Sequence, residues 1–130
     1  MAHHAPVYSA SISQDSCFIV SCSRDNTLIV WVLEPKTGFF KKHQVLEGHK
    51  HAVTGAEISF DNKYIVSSSM DNLVKVWLNV KDNFELVDTL NRHLDFVSTV
   101  SVSKHTYTFV SGSFGKSAIL WYFNSETKKA

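Results

Sequence analysis

Little in this chain of 130 residues is present in excess, and its scarcities narrow the field first. The cysteines are two, Cys17 and Cys22. Five positions apart on one strand, they would point to opposite faces, so a bridge between them is geometrically poor. Both are read as reduced thiols of an intracellular protein, cytoplasmic with the nucleus as the alternative. No apolar run is long enough to span a bilayer. The start, Met1-Ala2-His3-His4-Ala5-Pro6, lacks the basic and apolar stretches of a secretory signal. Neither sign of charge dominates: the net charge is +1 with both signs interspersed, which gives no electrostatic reason to expect nucleic acid or an acidic membrane as partner. The short basic runs Lys41-Lys42-His43 and Lys128-Lys129 have no aromatic interleaving and read as solvated ends. Prolines number only two, and Pro35 falls with Gly38 in a loop, where a missing donor or a positive φ does no harm. No helix of convincing length is legible.

What the chain does contain is one signature written three times. His3, Val7, Ser21-Cys22-Ser23, Asp25 and Trp31 form the first copy. His49, Val53, Ser67-Ser68-Ser69, Asp71 and Trp77 form the second, and His93, Val97, Ser111-Gly112-Ser113, Gly115 and Trp121 the third. The histidine always stands 22 residues before the Asp (or Gly) position and the tryptophan 6 after it, under a histidine-to-histidine period of 46 and then 44. Such periods mean stacked supersecondary units that cannot bury their faces alone. Within each copy, β-branched and aromatic runs are punctuated by Asp and Asn turns, the pattern of antiparallel strands. The expected strands are 6–12, 17–23, 27–33 and 40–46, then 53–59, 63–69, 73–78 and 84–90, then 97–103, 107–113 and 117–123, with longer loops at 34–39 and 79–83. A twelfth strand would begin near residue 128 and is absent from the pattern.

The repeat resembles the WD40 family, through Gly48-His49, the Ser-Ser-Met-Asp around Asp71, and Val76-Trp77 as the tryptophan-ended strand. The chain departs from that family at Ala2-His3 and Arg92-His93, at Val32, Leu78 and Tyr122 where an Asp usually follows the tryptophan, and at Gly115 in place of the turn Asp. The resemblance implies an all-β fold of three four-stranded antiparallel blades, the last lacking its fourth strand: an incomplete β-propeller. It divides one domain, 1–130, into repeats 3–47, 48–91 and 92–123 and a tail 124–130. It also implies a hydrogen-bonded chain inside each blade, because a histidine can donate at one ring nitrogen and accept at the other. The members would be His3, Asp25, Trp31 and Ser21 or Ser23; His49, Asp71, Trp77 and Ser67 or Ser69; and His93, Trp121 and Ser111. With no carboxylate at 115, His93 is expected to lose its acceptor and leave the outer blade less ordered.

Three near-copies of a Ser, His, Asp set at one structural position argue for a fold device and against a hydrolase triad, which needs a single site with an oxyanion hole. No enzyme is expected. The closest histidine groupings, His3-His4 and His49-x-His51, have no Cys or carboxylate to complete a ligand set, so neither metal nor other cofactor is expected. The resemblance instead places partner binding on the rim of the central channel, at the residue before the turn Asp and beside the strand-opening valine. Those positions hold Arg24, Met70 and Phe114, then Pro6, Tyr8, Ala52, Thr54, Phe96 and Ser98. Aromatic, Met and Arg residues anchor interfaces, and Tyr8, Arg24, Met70, Phe96 and Phe114, with Thr54 and Ser98, are the candidate partner-binding set.

The expectation is therefore a non-enzymatic interaction scaffold that takes a peptide or protein loop on its rim. The alternative is a fragment or subunit of a larger WD40 assembly factor, similar to the G-protein-β type or, through Gln44–His49 and Val87–Leu90, to the cytosolic iron–sulfur assembly proteins. Propellers rarely close with fewer than four blades. Three blades then imply a piece of a longer product, copies that complete one another, or blades from another subunit, with self-association through open blade edges as the hazard.

Overall fold

The computed structural model describes residues 2–123. The tail 124–130, and with it the position where a twelfth strand would start, lies outside the described residues. The strands are β1 (Val7–Ile12), β2 (Phe18–Ser23), β3 (Leu28–Leu33) and β4 (Phe40–Leu46) in the first blade. The second blade has β5 (Val53–Ile58), β6 (Tyr64–Ser69), β7 (Val74–Val80) and β8 (Asn83–Leu90), and the third has β9 (Val97–Val102), β10 (Thr108–Ser113) and β11 (Ala118–Tyr122). Each blade is an antiparallel meander in chain order, of four, four and three strands. Among the described residues there is no helix, and hence none long and apolar enough to cross a membrane.

The blades stack face on face, so the same local pattern is buried differently according to place. All six residues of β6 are buried, because the middle blade has a neighbour on both sides. The outer strand β11 alternates exposed and half-buried residues instead. Between the first two blades, Val20, Cys22, Leu28 and Val30 pack against Ile65, Trp77 and Phe84. Between the second and third, Val66, Val74 and Val76 pack with Phe109, Val100 and Phe123. Each fully buried aliphatic side chain contributes about 1.5–3 kcal/mol, so these two seams hold the molecule together.

Polar ties join the same neighbours. The Gln44 amide donates to Phe84 O at 2.8 Å and accepts from Phe84 N at 2.7 Å, locking β4 to β8. Asn62 donates to the Asp15 carboxylate at 2.6 Å, and the Tyr107 hydroxyl donates to Asp61. The turn carboxylates of blades one and two thus each accept from the blade that follows. The bond to Asp61 pushes the Tyr107 phenol up to about 12.

One expected loop is not a loop. β7 runs on to Val80, β8 begins at Asn83, and Val80 pairs with Asn83 across the two-residue turn Lys81-Asp82. Both turn residues have positive φ, 51° and 69°, the conformation of a type I′ hairpin, whose twist matches that of the strands. The polarity of 79–83 hid this, since nothing in Lys-Asp advertises a left-handed turn. Cys17 lies in the turn before β2 and Cys22 is buried on it; both are free thiols.

Candidate functional site

Two groups of side chains lie at the turn end of the blades, one sealed inside them and one open to solvent. In the sealed group the Trp77 indole N–H donates to Ser67 Oγ at 2.9 Å, Ser67 Oγ lies 2.8 Å from His49 Nε2, and His49 Nδ1 lies 2.8 Å from Asp71 Oδ2. A carboxylate only accepts, so Nδ1 carries the proton, Nε2 accepts from the serine, and one neutral tautomer satisfies the whole chain. In the first blade Trp31, Ser21, His3 and Asp25 repeat it at 3.0, 2.8 and 3.0 Å. Each Asp also accepts from backbone, Asp25 from His4 N and Thr27 N, Asp71 from Lys50 N and Leu73 N. Burial pushes the Asp71 carboxyl up, but the bond from His49 and these amides outweigh it and hold the acid below its usual range. Asp25 is likewise lowered, its burial outweighed by Thr27 and its backbone donors.

Between the same-face serines the structure decides. Ser21, Ser67 and Ser111 bond the histidine and tryptophan of their blades. Ser23 and Ser69 instead tie the turn, donating to Pro6 O and Ala52 O and accepting from the amides of Asp25 and Asp71.

The third blade departs from expectation. His93 does not lose its partner at Nδ1: Ser117 Oγ lies 3.1 Å away and takes the place of the absent carboxylate, while Ser111 and Trp121 complete the chain at 2.7 and 2.8 Å. The three described strands of the outer blade pair in one register apart from one bulge. Ser117 stands 24 residues after its histidine, as Thr27 does after His3, and that spacing was the available signal. A hydroxyl in place of a carboxylate gives an imidazolium nothing to pair with, and burial pushes the His93 pKa down.

The open group is built by three β-bulges. Val7 pairs with Ser23 and Ser9 with Cys22, leaving Tyr8 as the extra residue. By the same count Thr54 is extra between Val53 and Gly55, and Ser98 between Val97 and Thr99. A bulge re-aims the side chain it carries, and here each sends the residue after the strand-opening valine to the same place. Tyr8, Thr54 and Ser98 line one hollow of about 230 Å³ with Met70, Phe96, Val97 and Phe114. Phe96 and Phe114 face one another at 6.1 Å between ring centroids, and Phe114 is 64% exposed. The Thr54 and Ser98 hydroxyls are committed internally: Thr54 Oγ donates to Val97 O at 2.6 Å, across blades, and Ser98 Oγ to Gly112 O at 3.1 Å. Arg24 does not reach this hollow. It lines an adjoining one of about 520 Å³ with Asn26, His51, Ala52, Met70 and Phe96. Pro6 borders neither.

Among the described residues no group of three His, Cys, Asp or Glu side chains could hold a metal ion. Stacking of antiparallel meanders of four, four and three strands in chain order makes this an open segment of a β-propeller. The WD40 family (WD domain, G-beta repeat) matches residues 1–32, 40–77 and 84–122, and the chain belongs to it. Members of that family typically act as protein-interaction scaffolds without catalytic activity. The chain is similar in fold to the solved structure of U3-55K, with a TM-score of 0.84 and 24% identity over 99% of its own length. It spans 39% of the U3-55K chain. No curated protein sequence matches it.

Proposed function

We propose that this chain is a non-enzymatic interaction module that docks a peptide or protein loop on the bulge-lined rim. One observation carries the reading: Tyr8, Met70, Phe96 and Phe114, from three blades, converge on one concave apolar surface. Large apolar side chains around a solvent-open hollow are what interfaces use as anchors. The Ser–His–Asp sets support the same reading from the other side. Ser67 is wholly buried and His49 nearly so, so no substrate reaches them, and they act as blade staples. The two free thiols fit the cytoplasmic or nuclear placement. The test is a crosslinking comparison: a photo-crosslinker at position 54 should capture partner from cell extract, and a Tyr8→Ala, Phe114→Ala double replacement should abolish capture while the far-ultraviolet circular dichroism stays unchanged. Capture indifferent to the double replacement would sink the rim as the docking face.

A second reading, that the three blades belong to a larger WD40 assembly, is favoured by the outer faces. On the free face of β10 and β11, Val110, Leu120 (77% exposed) and Tyr122 (69% exposed) occupy the register positions of Val66, Val76 and Leu78, which are covered by the third blade. Apolar residues at interface positions call for a further blade, from the same product, a second copy or another subunit. The G-protein-β-like and iron–sulfur assembly-like alternatives belong to this reading.

A further inference from the structure

Building on the rim-docking reading, on which it depends, we propose that the segment docked there presents a carboxylate beside one bulky apolar side chain. The two hollows are contiguous, sharing Met70 and Phe96 as their common wall. The smaller, at about 230 Å³, lies below the roughly 300–1,000 Å³ of small-molecule pockets and suits a single inserted side chain. The larger carries Arg24, Asn26 and His51, and no acidic residue lines either hollow. The carboxylates nearest in sequence are committed elsewhere. Asp25 turns into its blade toward His3, Asp71 does the same toward His49, and Asp95 accepts from the Phe96 amide at 2.7 Å. Asn26 donates to Lys50 O, and Thr54 and Ser98 donate to backbone. Arg24 is left as an exposed cation with no carboxylate within 4 Å among the described residues. A guanidinium that makes no side-chain hydrogen bond among the described residues, in the hollow next to the apolar one, selects an anion, and binds a planar carboxylate through paired parallel bonds. A basic residue at the same place would be repelled, and a neutral one would gain no charge-assisted bond.

The test titrates the whole isotope-labelled chain with three synthetic heptapeptides that differ at one position, bearing glutamate, glutamine or lysine directly before a phenylalanine. Nuclear magnetic resonance detects even weak binding at Tyr8, Met70, Phe96 and Phe114. The glutamate peptide should bind about three- to tenfold more tightly than the glutamine peptide, with the difference shrinking in high salt. Arg24→Glu should invert the order in favour of the lysine peptide. Equal affinity for all three peptides, abolished by Phe114→Ala, would overturn the acidic preference and leave the rim reading standing. If no peptide perturbs the rim resonances, both fall.

Discussion

Position 115 shows how much one residue decides. In two blades an Asp there completes the histidine chain; in the third, Gly115 leaves the work to Ser117. Gly115 has no positive φ, and an added Cβ would meet Asp95 Cβ at 3.4 Å and Ser113 Oγ at 3.5 Å, ordinary contact distances. Gly115→Asp should therefore fit, accept from His93 and stabilise the chain by about 0.5–1.5 kcal/mol at neutral pH. Asp25 and Asp71, in the same setting, are held below the usual carboxylate range, so the new acid should follow them. A folded pKa below the unfolded value of about 4 places the gain above that pH and removes it as pH falls through the folded value. Urea denaturation followed from pH 7 down to pH 2 checks this: a gain that does not shrink as the pH falls below about 4 would show that turn rigidity, not the carboxylate, is responsible.

Strands and turns carry a second layer of information. The bulges at Tyr8, Thr54 and Ser98 leave no mark in composition, since Tyr, Thr and Ser are all ordinary strand residues. Their common position after the strand-opening valine was legible; that a bulge would turn all three to one hollow was not. The Lys81-Asp82 hairpin shows the reverse mismatch, a special backbone held by unspecialised residues. Non-glycine residues in the left-handed region cost roughly 1 kcal/mol each. Replacing the pair by Asn-Gly should raise stability by about 1–2 kcal/mol. The backbone amide of Asp82, which donates to Asn79, is retained. Thermal unfolding of the double variant measures it, and an unchanged Tm would mean the strand pairing of β7 and β8 alone sets the turn.

At the scale of the molecule the two seams are complete and the two outer faces are not. Leu120 and Tyr122 on one side, with the half-buried Trp31 on the other, lack the cover that makes Trp77 only 3% exposed. Burying such a face is worth about 25 cal/mol per Å², so the isolated chain should self-associate as concentration rises. Light scattering of the chain and of a Leu120→Lys, Tyr122→Glu variant should show the mass falling in the variant. Equal masses would place any association elsewhere, for instance on the edge of β11 that pairs with no strand among the described residues.

The sequence by itself determined the repeat and the strand count among the described residues, and its resemblance to the WD40 family implied the aspartate partner of each buried histidine in the first two blades. The repeat and its strands follow from spacing and patterning along one chain; that the residue 22 places after each histidine, Asp25 or Asp71, is its partner is what the resemblance added. Tertiary structure alone decided which serine of each pair faces the histidine and that Ser117 replaces an aspartate. It alone decided that residues from three blades share one hollow. These depend on the direction of side chains and on the angle between separate sheets, and a one-residue bulge changes the first without altering the pattern that predicts the strand.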